Sequence, residues 1–151
     1  MRITAKVDYA VRAVAEMAAD PGGPIKGEAI AERQEIPPKF LENILADLRR
    51  AGLVRSQRGA DGGYWLAKPA AEITVADVIR AVEGPLADVH GIPPETVEYG
   101  GAATHLQAVW VATRSALRAV LEEVTLADVV AGTLPASAAR FLDEPGAWAR
   151  R

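Results

Sequence analysis

Residues 37–64 read Pro37-Pro38-Lys39-Phe40-Leu41-Glu42-Asn43-Ile44-Leu45-Ala46-Asp47-Leu48-Arg49-Arg50-Ala51-Gly52-Leu53-Val54-Arg55-Ser56-Gln57-Arg58-Gly59-Ala60-Asp61-Gly62-Gly63-Tyr64. This stretch decides the fold. Proline followed by a run of good helix formers opens a helix. Phe40, Leu41, Ile44, Leu45 and Leu48 recur at helical spacing and form one apolar stripe, which must be buried against other helices. Lys39, Glu42, Asn43, Ala46 and Arg50 fall on the opposite face. Gly52 ends the helix, as a glycine just past the last turn commonly does. Residues 53–57 and 64–68 then read as two strands, joined through a glycine-rich turn with Arg58 where the hairpin leaves the body.

Upstream, residues 26–33 read as a short helix with Ala29 and Ile30 turned inward, and residues 34–37 as a tight turn. Two helices joined so closely make a helix-turn-helix. In that unit the N-terminal part of the second helix meets base edges in the major groove. The candidates here are Lys39, Glu42, Asn43 and, at longer reach, Ala46. Asn can pair with an adenine edge, Glu can accept from cytosine N4, and Lys can reach guanine or phosphate. A carboxylate on this face favours discrimination over raw affinity. Arg58 on a wing suits the narrow, electronegative minor groove. Alone, a solvated helix face or an arginine that keeps an edge hairpin soluble would explain either feature. Side by side they point to duplex DNA.

Working outward, Thr4 caps a first helix running to about Ala19, and Pro21-Gly22-Gly23-Pro24 turns the chain. A further helix covers residues 75–83, capped by Thr74 and closed by Gly84-Pro85. Residues 86–101 are rich in proline and glycine and read as a mobile loop. Residues 102–124 read as one long helix. Leu106, Trp110, Thr113, Leu117, Val120 and Val124 recur at heptad-like spacing, widened by Val109, Ala116 and Leu121. A helix packed only on its own domain is the plain explanation; the width of the band favours a dimer contact. The tail beyond Gly132 carries Phe141, Leu142 and Trp148, packed loosely or disordered.

Several ordered blocks together resemble the Rrf2 family of bacterial winged-helix regulators. They are residues 1–6, 9–13, 30–34, 40–45, 48–54, Arg58-Gly59, Gly62-Gly63-Tyr64, 73–84 and 125–129. The resemblance implies a mainly α fold with a small β-hairpin, a winged helix-turn-helix followed by a long dimerisation helix. The expected divisions are 1–84 for the DNA-binding domain, 85–101 for the loop, 102–131 for the dimerisation helix and a short helix, and 132–151 for the tail. It implies a homodimeric, sequence-specific transcriptional regulator, most often a repressor, on a pseudo-palindromic duplex. The expected DNA-contacting set is Arg2, Lys39, Glu42, Asn43, Arg50, Arg58 and Gly59. The expected dimer set is Leu106, Trp110, Leu117, Val120, Leu121 and Val124.

Two departures stand out. The family's wing usually runs Arg-Gly-Pro-Gly-Gly-Gly-Tyr, whereas Ala60-Asp61 replace Pro-Gly here and add a negative charge where phosphates would pass. Many members also hold an iron–sulfur cluster on three cysteines between the last domain helix and the dimer helix. This chain has no cysteine. Thiolates are the usual cluster ligands, so no cluster, metal or other cofactor is expected. Some members draw ligands from the first helix. Those places correspond to Asp8 and Arg12, and arginine cannot ligate.

The 151 residues make one compact unit with half of them hydrophobic, and no apolar run is long enough to span a membrane. No signal peptide is evident, and the family implies a cytoplasmic protein. The net charge is −3, but residues 1–70 carry 11 Lys/Arg against 9 Asp/Glu, while residues 71–151 carry 6 against 11. The positive field therefore sits on the recognition half, and its modest size makes specific contacts supply much of the affinity. His90 and His105 read as surface residues. No catalytic triad, phosphate loop or carboxylate pair is present, which excludes an enzyme. Trp65 points to the other hairpin face from Tyr64, either into packing or into a ligand pocket shared with Trp110. Two alternatives to plain DNA regulation are action through a protein partner and a small-molecule effector seated between the 86–101 loop and the long helix.

Overall fold

The structure is a computed structural model that describes residues 2–149. Met1, in the first expected division, and residues 150 and 151, in the tail, lie outside the described residues.

The chain forms α1 (Ala5–Ala19), α2 (Gly27–Gln34), α3 (Pro38–Arg50), β1 (Val54–Gln57), β2 (Gly63–Leu66), α4 (Val75–Glu83), α5 (Leu106–Leu121), α6 (Leu126–Ala131) and α7 (Ala136–Ala139), with short 3-10 turns between. Local chemistry sets most of the ends. The Thr4 hydroxyl accepts from the Val7 amide at the start of α1. Thr74 and Asp77 form a reciprocal capping box on α4, and Thr125 and Asp128 repeat it on α6. Glu35 stops α2 in the left-handed conformation, φ 52°, and so makes the tight turn into α3.

α1 is the centre of the core. Ala10, Ala13 and Val14 are fully buried, and α2, α3, α4 and α6 pack around them. Leu41, Ile44, Leu45 and Leu48 of α3 are at most 1% exposed. Each such side chain contributes about 1.5–3 kcal/mol of burial free energy. These four hold α3 in one orientation and thereby fix where its other face points.

Several expectations shift at the edges. Ala31, not Ala29, joins Ile30 in the core; Ala29 is only half-buried. Phe40 belongs to the stripe by spacing but is 39% exposed, because it sits at the N-terminal edge and meets Tyr9 edge-on, with ring centres 5.7 Å apart. The long helix is shorter than its apolar pattern. A 3-10 turn at Gly101–Ala103 precedes it, and it ends at Leu121. The hairpin pairs Val54 with Leu66 through Gln57 with Gly63, and Ile25 adds a third edge by exchanging two backbone bonds with Tyr64, 2.9 and 2.8 Å.

The loop before α5 is irregular but tied down. Val89 bridges Ile92, the Gln107 side chain donates to the Glu95 carbonyl at 2.9 Å, and the Trp110 indole donates to the Tyr99 hydroxyl at 3.0 Å. α6 lies on the body rather than with α5, because Leu126 is fully buried and Thr125 bridges Thr74. The tail packs α7 on α5 through buried Ala138, yet leaves Phe141, Leu142 and Trp148 exposed.

Candidate nucleic-acid interface

Burying one face of α3 presents the other to solvent. Lys39, Glu42 and Asn43 are all exposed in its first two turns, and none has a hydrogen-bond or ion-pair partner among the described residues. Free donors and acceptors on a rigid helix are the requirement for reading base edges. Ala46 is half-buried and offers no polar group. Arg50, by contrast, is engaged. Asp47 pairs with Arg50 at 2.8 Å and with Lys6 of α1 at 2.8 Å. Bonding to Lys6, and then to Arg50, holds the Asp47 carboxyl below the ordinary carboxylate range. Sequence reasoning missed this acidic hub, although Asp47 and Arg50 lie at the i,i+3 spacing that brings such pairs together.

The wing follows directly. Arg49 donates to the Ser56 hydroxyl at 3.1 Å and ties the end of α3 to β1. Two glycines in the turn are required by space. A Cβ on Gly62 would lie 2.1 Å from the Gln57 carbonyl oxygen, and one on Gly63 would lie 2.5 Å from that of Ile25. Arg58 is exposed and unpaired among the described residues, as the tip of a minor-groove probe must be. Gly59 is exposed, but its carbonyl is turned back to accept from Lys26 at 2.5 Å. Arg2 is exposed ahead of α1.

The long helix offers the second surface. α5 contains no buried residue; Val109 is 52% and Trp110 36% exposed. Leu106, Leu117 and Val120 are half-buried. Two members of the expected dimer set are occupied at home. Val124 is 6% exposed, with its carbonyl accepting from the Val75 amide, and Leu121 packs against the core. Trp65 and Trp110 line separate cavities, one beside Met17 and Pro21 and one beside Val89, His90 and Pro94.

Comparison with known proteins agrees with this architecture. The profile of the Rrf2 family, described as "Iron-dependent Transcriptional regulator", matches residues 3–132. The chain belongs to the Rrf2 family. It is 49% identical over 145 residues to the Mycobacterium tuberculosis protein Rv1287, named as an HTH-type transcriptional regulator, covering 95% of this chain and 90% of that one. It is 36% identical over 134 residues to the transcriptional regulator CymR of Bacillus subtilis, covering 88% and 92%. The solved structure of B. subtilis CymR, the global cysteine regulator, superposes with a TM-score of 0.74 at 35% identity over 88% of this chain and 98% of that chain. The IscR of T. potens gives 0.71 at 34% identity, over 87% and 88%. This Rrf2 chain is therefore a winged-helix transcriptional regulator, and its relatives are regulators rather than enzymes.

The iron in the family's description does not fit these residues. The chain has no thiolate. Among the described residues no group of three or more His, Cys, Asp or Glu could hold a metal ion. In the stretch where family cysteines lie, Asp88 accepts from the Gly91 amide. Glu95, held below the ordinary carboxylate range by its own backbone N–H and then by Arg114, pairs with that arginine at 2.5 Å. Asp8 pairs with Arg12 at 2.9 Å, and Arg12 also donates to Gln34. The Asp88, Glu95 and Asp8 carboxylates are thus engaged with an amide or with cations. No helix among the described residues is long and apolar enough to cross a membrane.

Proposed function

We propose that this chain is a homodimeric, sequence-specific DNA-binding regulator that works in the cytoplasm without an iron–sulfur cluster. One observation carries the reading. The helix that buries Leu41, Ile44, Leu45 and Leu48 in the core leaves Lys39, Glu42 and Asn43 exposed and, among the described residues, unpartnered, beside a wing whose Arg58 is equally free there. α3 enters the major groove and Arg58 the minor groove. Arg2 and Arg50 meet flanking phosphates, Arg50 after leaving Asp47, and the Gly59 backbone follows the wing into the groove.

Two copies pair through Leu106, Val109, Trp110, Leu117 and Val120, α5 side chains that the chain itself leaves unburied, with half-buried Leu121 and then Val124 at the end of the same seam. Two-fold pairing then presents two α3 helices to half-sites one turn apart, roughly 34–36 Å, on a pseudo-palindrome. Repression needs only occupancy of a promoter, for which these surfaces suffice.

Selection of duplexes from a random pool with the wild-type protein tests this reading. A pseudo-palindrome is expected. Asn43→Ala or Glu42→Ala should relax one position per half-site, at a cost of about 1–3 kcal/mol. A triple variant lacking Asn43, Glu42 and Arg58 side chains that binds the selected duplex like wild type would overturn it.

A further inference from the structure

The wing turn is built from residues that do little to order themselves. Glycine loses more backbone freedom on folding than any other residue, and Gly59, Gly62 and Gly63 stand within five positions. Gly59 adopts φ +106°, outside the range that side chains favour. Within the turn itself a single backbone bond closes it, from the Gly62 amide to the Gly59 carbonyl at 3.1 Å. Gly62 and Gly63 are held from below by close packing on Gln57 and Ile25. The Arg58-Gly59 side of the turn has no comparable support from its own residues.

That support comes from another element. Lys26 is the residue that precedes α2, and its backbone continues the Ile25 edge that pairs with Tyr64. From there its ammonium reaches the Gly59 carbonyl at 2.5 Å. A carbonyl oxygen has two lone pairs, so it can serve Gly62 and Lys26 together. The bond is charge-assisted, the stronger kind. It also brings a positive charge to the turn that carries Asp61.

We propose that Lys26 is the positioning residue of the wing. By clamping the Gly59 carbonyl it fixes the peptide next to Arg58, and so aims that guanidinium at the minor groove. Lys26 acts through Arg58 rather than by reading DNA itself. The proposal rests on the DNA-binding reading for its consequence but not for its structural half.

Two measurements on the full chain separate these halves. In the free protein, Lys26→Met should speed amide hydrogen exchange across residues 59–63 by about three- to tenfold, the size of one exposed charge-assisted bond, with exchange in α1 and α4 unchanged. Lys26→Arg, which keeps the charge and the donors, should restore most of the protection. On the duplex selected by the wild-type protein, Lys26→Met should weaken binding by a similar factor alone. In an Arg58→Ala background it should have almost no further effect, because the group it positions is gone.

Unchanged exchange across the turn in Lys26→Met overturns the clamp. Equal losses of affinity with and without Arg58 also overturn it, since Lys26 would then contact phosphate directly. If the wild-type protein selects no duplex at all, the DNA-binding reading fails, while the exchange measurement still decides whether the clamp exists.

Discussion

α3 and α5 are both amphipathic, and they treat their apolar faces in opposite ways. α3 spends most of its stripe within the chain: Leu41, Ile44, Leu45 and Leu48 are at most 1% exposed, and what remains outside, apart from Phe40 at the edge, is mostly polar. α5 has no buried residue, and what remains outside includes large apolar side chains, with Val109 and Trp110 in the open. The face a helix leaves over states the chemistry of what must cover it. A polar, unpaired face on a rigid helix suits a polar, charged surface such as a base-pair edge. An apolar face suits a second apolar face, and a copy of the same helix supplies one.

The contrast can be broken most severely at α5. Val109→Glu with Leu117→Glu places charges on the exposed face without touching Leu121 or Val124, which pack at home. Sedimentation should show a monomer. Because each half-site is then bound alone, affinity for the selected duplex should fall about 10²–10⁴-fold. A variant that stays fully dimeric removes α5 from the interface.

A second comparison uses truncation. Ile44→Ala leaves a cavity in a filled core and should lower unfolding free energy by about 2–5 kcal/mol. Val109→Ala, measured by denaturant unfolding at concentrations where the chain is monomeric, should change it by less than about 0.5 kcal/mol. Similar losses at both sites would mean that α5 is packed more fully within its own chain than its exposure indicates.

The smallest effect concerns the acidic hub behind α3. The Asp47 carboxyl is held below its ordinary value of 3.8, chiefly by Lys6. A carboxyl with a lowered folded value stabilises the fold above its unfolded value, and that contribution is lost as pH falls through the folded one. Asp47→Asn should therefore cost at most about 1 kcal/mol at neutral pH. The difference from wild type should shrink as pH drops through 3.8 and below. A deficit that persists undiminished into acid would assign the cost to packing rather than to the Lys6 and Arg50 pairs.

What could be read from the residues in order was what local chemistry determines. Thr4, Thr74 and Thr125 announce helix starts because a hydroxyl satisfies an amide three residues on. The α3 stripe was legible because four of its five members are buried at helical spacing. Its fifth, Phe40, shows the limit: periodicity places a residue on a face but does not say where the neighbouring helix ends. The α5 seam shows the same limit, since Val124 and Leu121 also pack against the body of their own chain. The Lys26–Gly59 bond spans 33 positions and the Lys6–Asp47 pair 41, so no spacing rule could have revealed them. Ile25 was equally hidden, being a strand edge one residue long.

The central claim is that α3, and not α5, lies in the major groove of DNA. A cysteine-free chain allows a direct test, because one introduced thiol can carry a tethered hydroxyl-radical source. With the source at Lys39→Cys, the selected duplex should be cut in two clusters centred about 10–10.5 base pairs apart, one per half-site. With the source at Val109→Cys, no localised cutting should occur. Localised cutting from Val109→Cys, or its absence from Lys39→Cys in a complex that still forms, would contradict the assignment of the two faces.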